Sequence, residues 1–380
     1  MEIKKTDQVK IASLWVLALC LPIFWHPKAQ NPFLFSKELF LRFYIVILLA
    51  IILWKYNKFF SIFLGYSLGF TFLKLSTRSL WALGNLRDFF LYYLILRIFL
   101  ESINWKQTLY PYLISLAIIL ATSFAQLLSF DITRHGTYLY HGEYWKLAGF
   151  FGNTHILKTW IGICAPLAFL LPKFWATIPL AIIFGSLIFF GRSYGGLTIA
   201  VFSCSITGFI LFKRKLNVRI ILFSILLMGI LGVSYQNKAN SVRRQIIHQT
   251  IPHILKHPII GNGLNSFGAA GIIASGTPEL QAHNEPLSFI HDYGLPFSIF
   301  GIFLLLLNYY LKLKSLEDKL AKGILSGLFY GFIYYSCFSF PFHMAHSATL
   351  FLTTIAIIDS IKQKEAQRCG FSGSLKTLHS

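Results

Sequence analysis

Charge is the scarcest property of this chain. Only 13% of its 380 residues are Asp, Glu, Lys or Arg, where a soluble domain carries roughly a quarter. The surface that such a domain needs for solvation is missing, so an ordinary soluble globular class is excluded. Cysteine is sparse too: Cys20, Cys164, Cys204, Cys337 and Cys369 are scattered, with no CxxC or metal-ligand spacing. They read as small apolar fillers and carry no assigned chemistry. The first apolar run lacks an Ala-x-Ala-like processing site, so it is expected to be retained as a span. Period-two alternation is absent from the apolar runs, which excludes a transmembrane β-barrel.

What the chain does have is long hydrophobic runs. Hydrophobic residues make up 55% of it, mean hydropathy is +0.61, and stretches near the ~20 residues that a bilayer requires recur throughout. About twelve spans are expected, near 11–27, 38–56, 59–74, 80–100, 109–130, 155–171, 174–191, 195–212, 217–235, 287–311, 323–341 and 346–361. The expected fold class is an all-α polytopic membrane protein forming one integral membrane domain over residues 1–380, ending in a cytoplasmic tail, 362–380.

The net charge of +20 is a topology signal. With the N-terminus in the cytoplasm, roughly 20 of the 34 Lys and Arg fall on the cytoplasmic side. They include the cluster Lys213, Arg214, Lys215 and Arg219, then Lys312, Lys314, Lys319 and Lys322, and the tail residues Lys362, Lys364 and Arg368. The positive-inside rule then puts both termini in the cytoplasm, and the remaining basicity suits anionic lipid heads. No nucleic-acid motif accompanies the charge, so a nucleic-acid partner is not expected.

Two long loops face outward in this topology, 131–154 and 236–286, and long loops in compact proteins are commonly functional. In the second, Ser241 to Lys256 reads as a helix with Ile246, Ile247, Ile251 and Ile254 as its apolar stripe. Pro258 stops it and Gly261-Asn262-Gly263 turns the chain. Such a helix is expected to lie along the outer membrane surface and roof a cavity.

The chemistry-bearing residues sit on that outer side. Arg192, in Phe-Gly-Arg-Ser-Tyr-Gly-Gly, ends a span, while Arg243 and Arg244 open the loop helix. Guanidinium groups bind phosphate oxygens in pairs and stay charged in poor solvent; a helix-end arginine also snorkels without further purpose. His283 stands where a polar loop enters an apolar helix. A helix start disfavours imidazolium and leaves a neutral nitrogen free to act as a base. Asn284 and Glu285 are candidates to orient it, and His291 to support it or simply to pack. His248, His253 and His257 lack acidic partners, so no metal is expected. His343 and His346 read as cavity-bordering residues or aromatic-rich packing. A transporter or flippase with Lys158 and Arg87 as coupling charges is a different class; the absence of an internal repeat speaks against it.

Four segments carry a resemblance. His283-Asn284, nine residues and Gly294 form one, with Phe297 where Gly, Thr or Tyr is usual. Arg243, a helix and Pro258-Ile259-Ile260-Gly261-Asn262-Gly263 form the second. Gly149-Phe150-Phe151-Gly152-Asn153, with His155 near a common Asn, and Gly191-Arg192-Ser193 are the others. In this order they resemble the O-antigen ligase and O-antigen polymerase family, the membrane glycan transferases grouped by their Wzy_C region. The resemblance implies a GT-C-like arrangement with a large periplasmic loop holding amphipathic helices between spans nine and ten. It implies a metal-independent glycosyltransferase of the bacterial inner membrane, without a cofactor. The donor would be a glycan on undecaprenyl pyrophosphate. The acceptor would be lipid A-core for a ligase, another lipid-linked repeat for a polymerase, or a Ser or Thr for a protein O-oligosaccharyltransferase; the ligase is favoured. In that scheme His283 takes the acceptor proton, and Arg192 and Arg243, helped by Arg244, hold the pyrophosphate.

Overall fold

The computed structural model describes residues 5–23, 90–127, 149–189, 195–212, 237–274 and 277–376, a few positions within these segments excepted, together with 37, 40–45 and 47–48. Its elements are α1 (Lys5–Ile23), α2 (Phe90–Leu100), α3 (Trp105–Leu127), α4 (Thr154–Cys164), α5 (Lys173–Phe189), α6 (Gly195–Phe212), α7 (Asn237–Lys256), α8 (Glu285–Tyr293), α9 (Leu295–Lys314), α10 (Lys319–Ser336) and α11 (Ala345–Lys376). The described strands are two-residue pieces, β1 (Ile273–Ala274) antiparallel to β2 (Thr277–Pro278), in the long loop. The architecture is therefore helical. Three described helices, over Trp105–Gln126, Gly195–Phe212 and Leu295–Lys314, have the length and apolarity to cross a membrane, and four shorter apolar helices accompany them. The expected spans 59–74 and 217–235 lie outside the described residues.

Glycine and small residues set the bundle's centre. On α10, Gly323, Gly327 and Gly331 recur every four residues and so share one face. A Cβ on Gly327 would collide with Thr207 of α6, and one on Gly331 would press on Ser203. On the other side of α6, a Cβ on Gly196 would strike the Lys158 carbonyl of α4, and one on Gly162 the Gly196 carbonyl. Small faces allow backbones to approach closely where lipid supplies no hydrophobic drive between helices. The α4–α6–α10 sandwich is thus held by close backbone approaches.

Two expected spans are interrupted. The one near 155–171 is α4 followed by a 3-10 segment, Ala165–Leu170, because Pro166 withholds the N–H that α-helix would need. The one near 287–311 breaks at Gly294, whose φ of +82° ends α8 before α9 begins. The tail expected over 362–380 is, as far as Lys376, a continuation of α11. Helix α9 is peripheral, with Phe297, Phe300, Phe303 and Leu311 exposed on it. Its far end is fastened to α11, where Asp359 accepts hydrogen bonds from Tyr93 (2.6 Å), Tyr309 (3.1 Å) and Lys312 (2.7 Å).

Candidate functional site

One end of the bundle collects the starts of α4, α6, α8 and α11 with the end of α10. Thr159 of α4 donates to the Tyr335 hydroxyl of α10 at 2.9 Å. The Asn284 amide donates to the Cys337 carbonyl, just past α10, at 2.8 Å. The Glu285 carboxylate accepts from the Phe342 N–H at 3.0 Å. Phe151 and Trp160 meet the His346 ring edge-on at 4.8 and 5.2 Å.

The His-Asn-x9-Gly spacing now has a physical meaning: it measures α8. Asn284 is the N-cap, its Oδ1 accepting from the Leu287 N–H at 2.9 Å, and Pro286 fits the first turn. Gly294 is the C-cap. The Pro-Ile-Ile-Gly-Asn-Gly turn docks on that far end. Leu295 N–H donates to the Pro258 carbonyl at 2.8 Å, Asn262 N–H to His291 at 2.8 Å and Gly263 N–H to Asp292 at 3.0 Å. Carbonyls that a helix end leaves unpaired are thereby satisfied. The contact is backbone against backbone: a Cβ on Gly294 would strike the Ile259 carbonyl, and one on Gly261 the Asp292 carbonyl. Only glycine fits either place.

His283 sits immediately before this cap with φ of +52°, the one non-glycine residue among those described in the left-handed region. Such a conformation costs on the order of 1–3 kcal/mol and persists only where its surroundings enforce it. Asn284 provides that enforcement, because both ends of its amide are committed, one to α8 and one to the Cys337 carbonyl.

Arg243, His283 and Lys158 all lie within electrostatic range of one further residue, His155. The Arg243 guanidinium and the His283 imidazole both act electrostatically on the His155 ring at the start of α4. Gly195 makes room for that ring, since a Cβ there would lie 3.2 Å from its Cε1. Arg243 is half-buried in the first half of α7, and burial draws its pKa down; an arginine starts so high that it stays charged. Arg244, by contrast, is exposed. Arg192 lies outside the described residues, as does Arg87. Sequence reading passed over His155 as a departure from a motif. Its role depends on the α4–α6 crossing, and no local pattern announces that crossing.

His291 is packing. It is 1% exposed, its Nδ1 lies 2.9 Å from the Asp292 carboxylate, and Phe267 meets it edge-on at 5.2 Å. With Ser266, which donates to Asp292 at 3.0 Å, it pins the loop onto α8. Lys158 is buried and donates to the Leu187 carbonyl of α5 at 3.2 Å. His346 is also buried, and neither of its ring nitrogens has a hydrogen-bond partner among the described residues. Among the described residues no group of three or more His, Cys, Asp or Glu is placed to hold a metal ion. A cleft of about 290 Å³ lined by Trp105, Asp318, Lys364 and Arg368 opens at the other end of α10, roughly 27 Å away for its 18 residues. It belongs to the end that carries the basic tail.

No protein-family model matches the chain, and none of the curated proteins compared with it matches either. The family resemblance therefore rests on the four short sequence segments alone.

Proposed function

We propose that the chain is a membrane glycosyltransferase that moves a glycan from undecaprenyl pyrophosphate to an acceptor hydroxyl at the periplasmic face of a bacterial inner membrane. The observation that supports this reading is that a histidine of left-handed backbone, His283, and a half-buried arginine, Arg243, both lie within electrostatic range of His155 at one end of the bundle. Basic residues supply the orientation: Lys312, Lys314, Lys322, Lys362 and Lys364 gather at the bundle end opposite the site, so the positive-inside rule directs the site outward.

In the proposed reaction the acceptor oxygen attacks the anomeric carbon, and the bond from that carbon to the pyrophosphate oxygen breaks. The acceptor proton passes to His283, and undecaprenyl pyrophosphate departs with the bonding electron pair. Arg243, together with Arg192, which precedes α6 in the sequence, would neutralise the charge growing on the leaving group, as preorganised donors do in acyl and phosphoryl transfer. Arg244, exposed on α7, would attract the donor without being enclosed with it. Attack from the side opposite the leaving group inverts the anomeric centre.

Lipid A-core is the favoured acceptor, which makes the chain an O-antigen ligase in lipopolysaccharide biosynthesis. A second lipid-linked repeat or a protein Ser or Thr would make it a polymerase or a protein O-oligosaccharyltransferase. The test supplies purified protein with labelled lipid-linked glycan and each acceptor in turn, with and without EDTA. Transfer to lipid A-core that EDTA leaves unchanged is expected. Transfer to another acceptor reassigns the activity within the class, and no transfer to any of them, with donor binding intact, overturns it.

A further inference from the structure

Helix α7 has two apolar faces, and among the described residues only one of them is packed against protein. Ile246 and Thr250 are fully buried, and Ile246 packs with Phe267, Ile272 and Ala282. Ile247, Ile251 and Leu255, at i, i+4 and i+8, form a second stripe that is 40%, 46% and 69% exposed. Beyond the helix the stripe continues through Ile259 and Ile260, which are more exposed still. It does not end there. The turn that carries Ile259 and Ile260 is bonded backbone to backbone to the start of α9. There Leu295, Phe297 and Phe300 are exposed on a helix long and apolar enough to cross a membrane. Exposed apolar side chains thus extend from the start of α9 through the turn to the second half of α7. The sequence of α7 holds Lys238, Arg243, Arg244 and Lys256 and no acidic residue.

We infer that α7 is an interfacial helix whose Ile247–Ile251–Leu255 stripe lies in the outer leaflet, at the boundary of anionic headgroups and acyl chains. The continuity with α9 fixes the depth, because the stripe meets α9 where that helix enters the apolar layer. The charge balance fits too: a basic helix with a lipid-facing apolar stripe is held by anionic lipid as well as by burial. Arg243, on the flank between the two apolar faces, then stands at headgroup level. This inference stands whether or not the chain transfers glycans.

The test places a nitroxide label at single cysteines replacing Ile247, Ile251 or Leu255, and at Gln245 and Lys256 on the polar side. The background has its five native cysteines replaced, and the full chain is reconstituted in vesicles of phosphatidylethanolamine and phosphatidylglycerol. Positions 247, 251 and 255 are expected to show a several-fold higher ratio of oxygen to nickel-chelate relaxation than 245 and 256. Exchanging phosphatidylglycerol for phosphatidylcholine should lower that ratio. Equal nickel access at all five positions would overturn the inference. Protection of 247, 251 and 255 from both reagents, with dipolar broadening between labels, would replace lipid with a second copy of the chain. Variants that elute aggregated are replaced by Ile259→Cys and Ile260→Cys, which lie outside the helix and carry the same expectation.

Discussion

Replacing Asn284 separates what holds the site from what performs the chemistry. In Asn284→Ala both amide bonds disappear. Loss of the N-cap costs about 1 kcal/mol, and loss of the bond to the Cys337 carbonyl about another 1 kcal/mol. The sum, about 2 kcal/mol, is roughly a thirtyfold change in the folding equilibrium. Asn284→Asp keeps the cap acceptor and gains a favourable carboxylate at a helix start, about 0.3–1 kcal/mol. It loses only the donor to Cys337, so its net cost should be under about 1 kcal/mol. Activity should diverge from stability. His283 holds a left-handed backbone that costs on the order of 1–3 kcal/mol, and without the Asn284 tether it relaxes away from the site. Both variants should therefore lose more transfer rate than folding free energy, Ala more than Asp. Reversible unfolding in mixed micelles gives the stability difference, and transfer from labelled lipid-linked glycan at saturating donor gives the rate. An Ala variant with unchanged unfolding and unchanged rate, or an Asp variant no better than Ala in stability, would refute the tether.

Three other outcomes are expected. Arg243→Ala should lower transfer by about two to three orders of magnitude while Arg243→Lys keeps part of it, read from donor-concentration series; equal rates would remove Arg243 from the leaving group. Gly327→Leu should disrupt the α6–α10 contact and yield aggregated protein on size-exclusion chromatography, because its Cβ already meets Thr207 and the Ser203 carbonyl; a monodisperse, stable variant would contradict the packing. His346→Phe should be neutral or stabilising within about 1 kcal/mol, since it removes two unpartnered buried nitrogens and keeps the edge-on ring contacts; a large loss of thermal stability would mean those nitrogens are satisfied.

Local pattern carried the helical class, because apolar runs are properties of short windows. Asn284 and Gly294 entered as two members of a spacing, and their roles as the caps of one short helix came from the structure. Contacts between distant segments were not legible. His155 gains its place only when Gly195 and Gly196 let α6 press against α4. The α7 stripe was drawn as one face of Ile246, Ile247, Ile251 and Ile254, yet the structure divides it between a protein-facing Ile246 and exposed Ile247 and Ile251. Periodicity reports that a helix has apolar positions and is silent on whether protein or lipid covers each one. The break at Gly294 escaped the same kind of reading although Gly294 and Pro296 are local helix-end and helix-start signals; the close approach of the Ile259 carbonyl, which a Cβ at 294 would strike, lies on another segment and was not legible.

The most direct measurement is transfer by His283→Ala in reconstituted membranes, alongside its unfolding midpoint and its binding of the lipid-linked donor. Removing the imidazole leaves Asn284, the α8 cap and the arginines in place. The expected result is normal folding, retained donor binding and glycan transfer reduced to the background of an empty vesicle. Transfer at the unmodified rate would show that no proton passes to His283, and the proposed chemistry would be wrong.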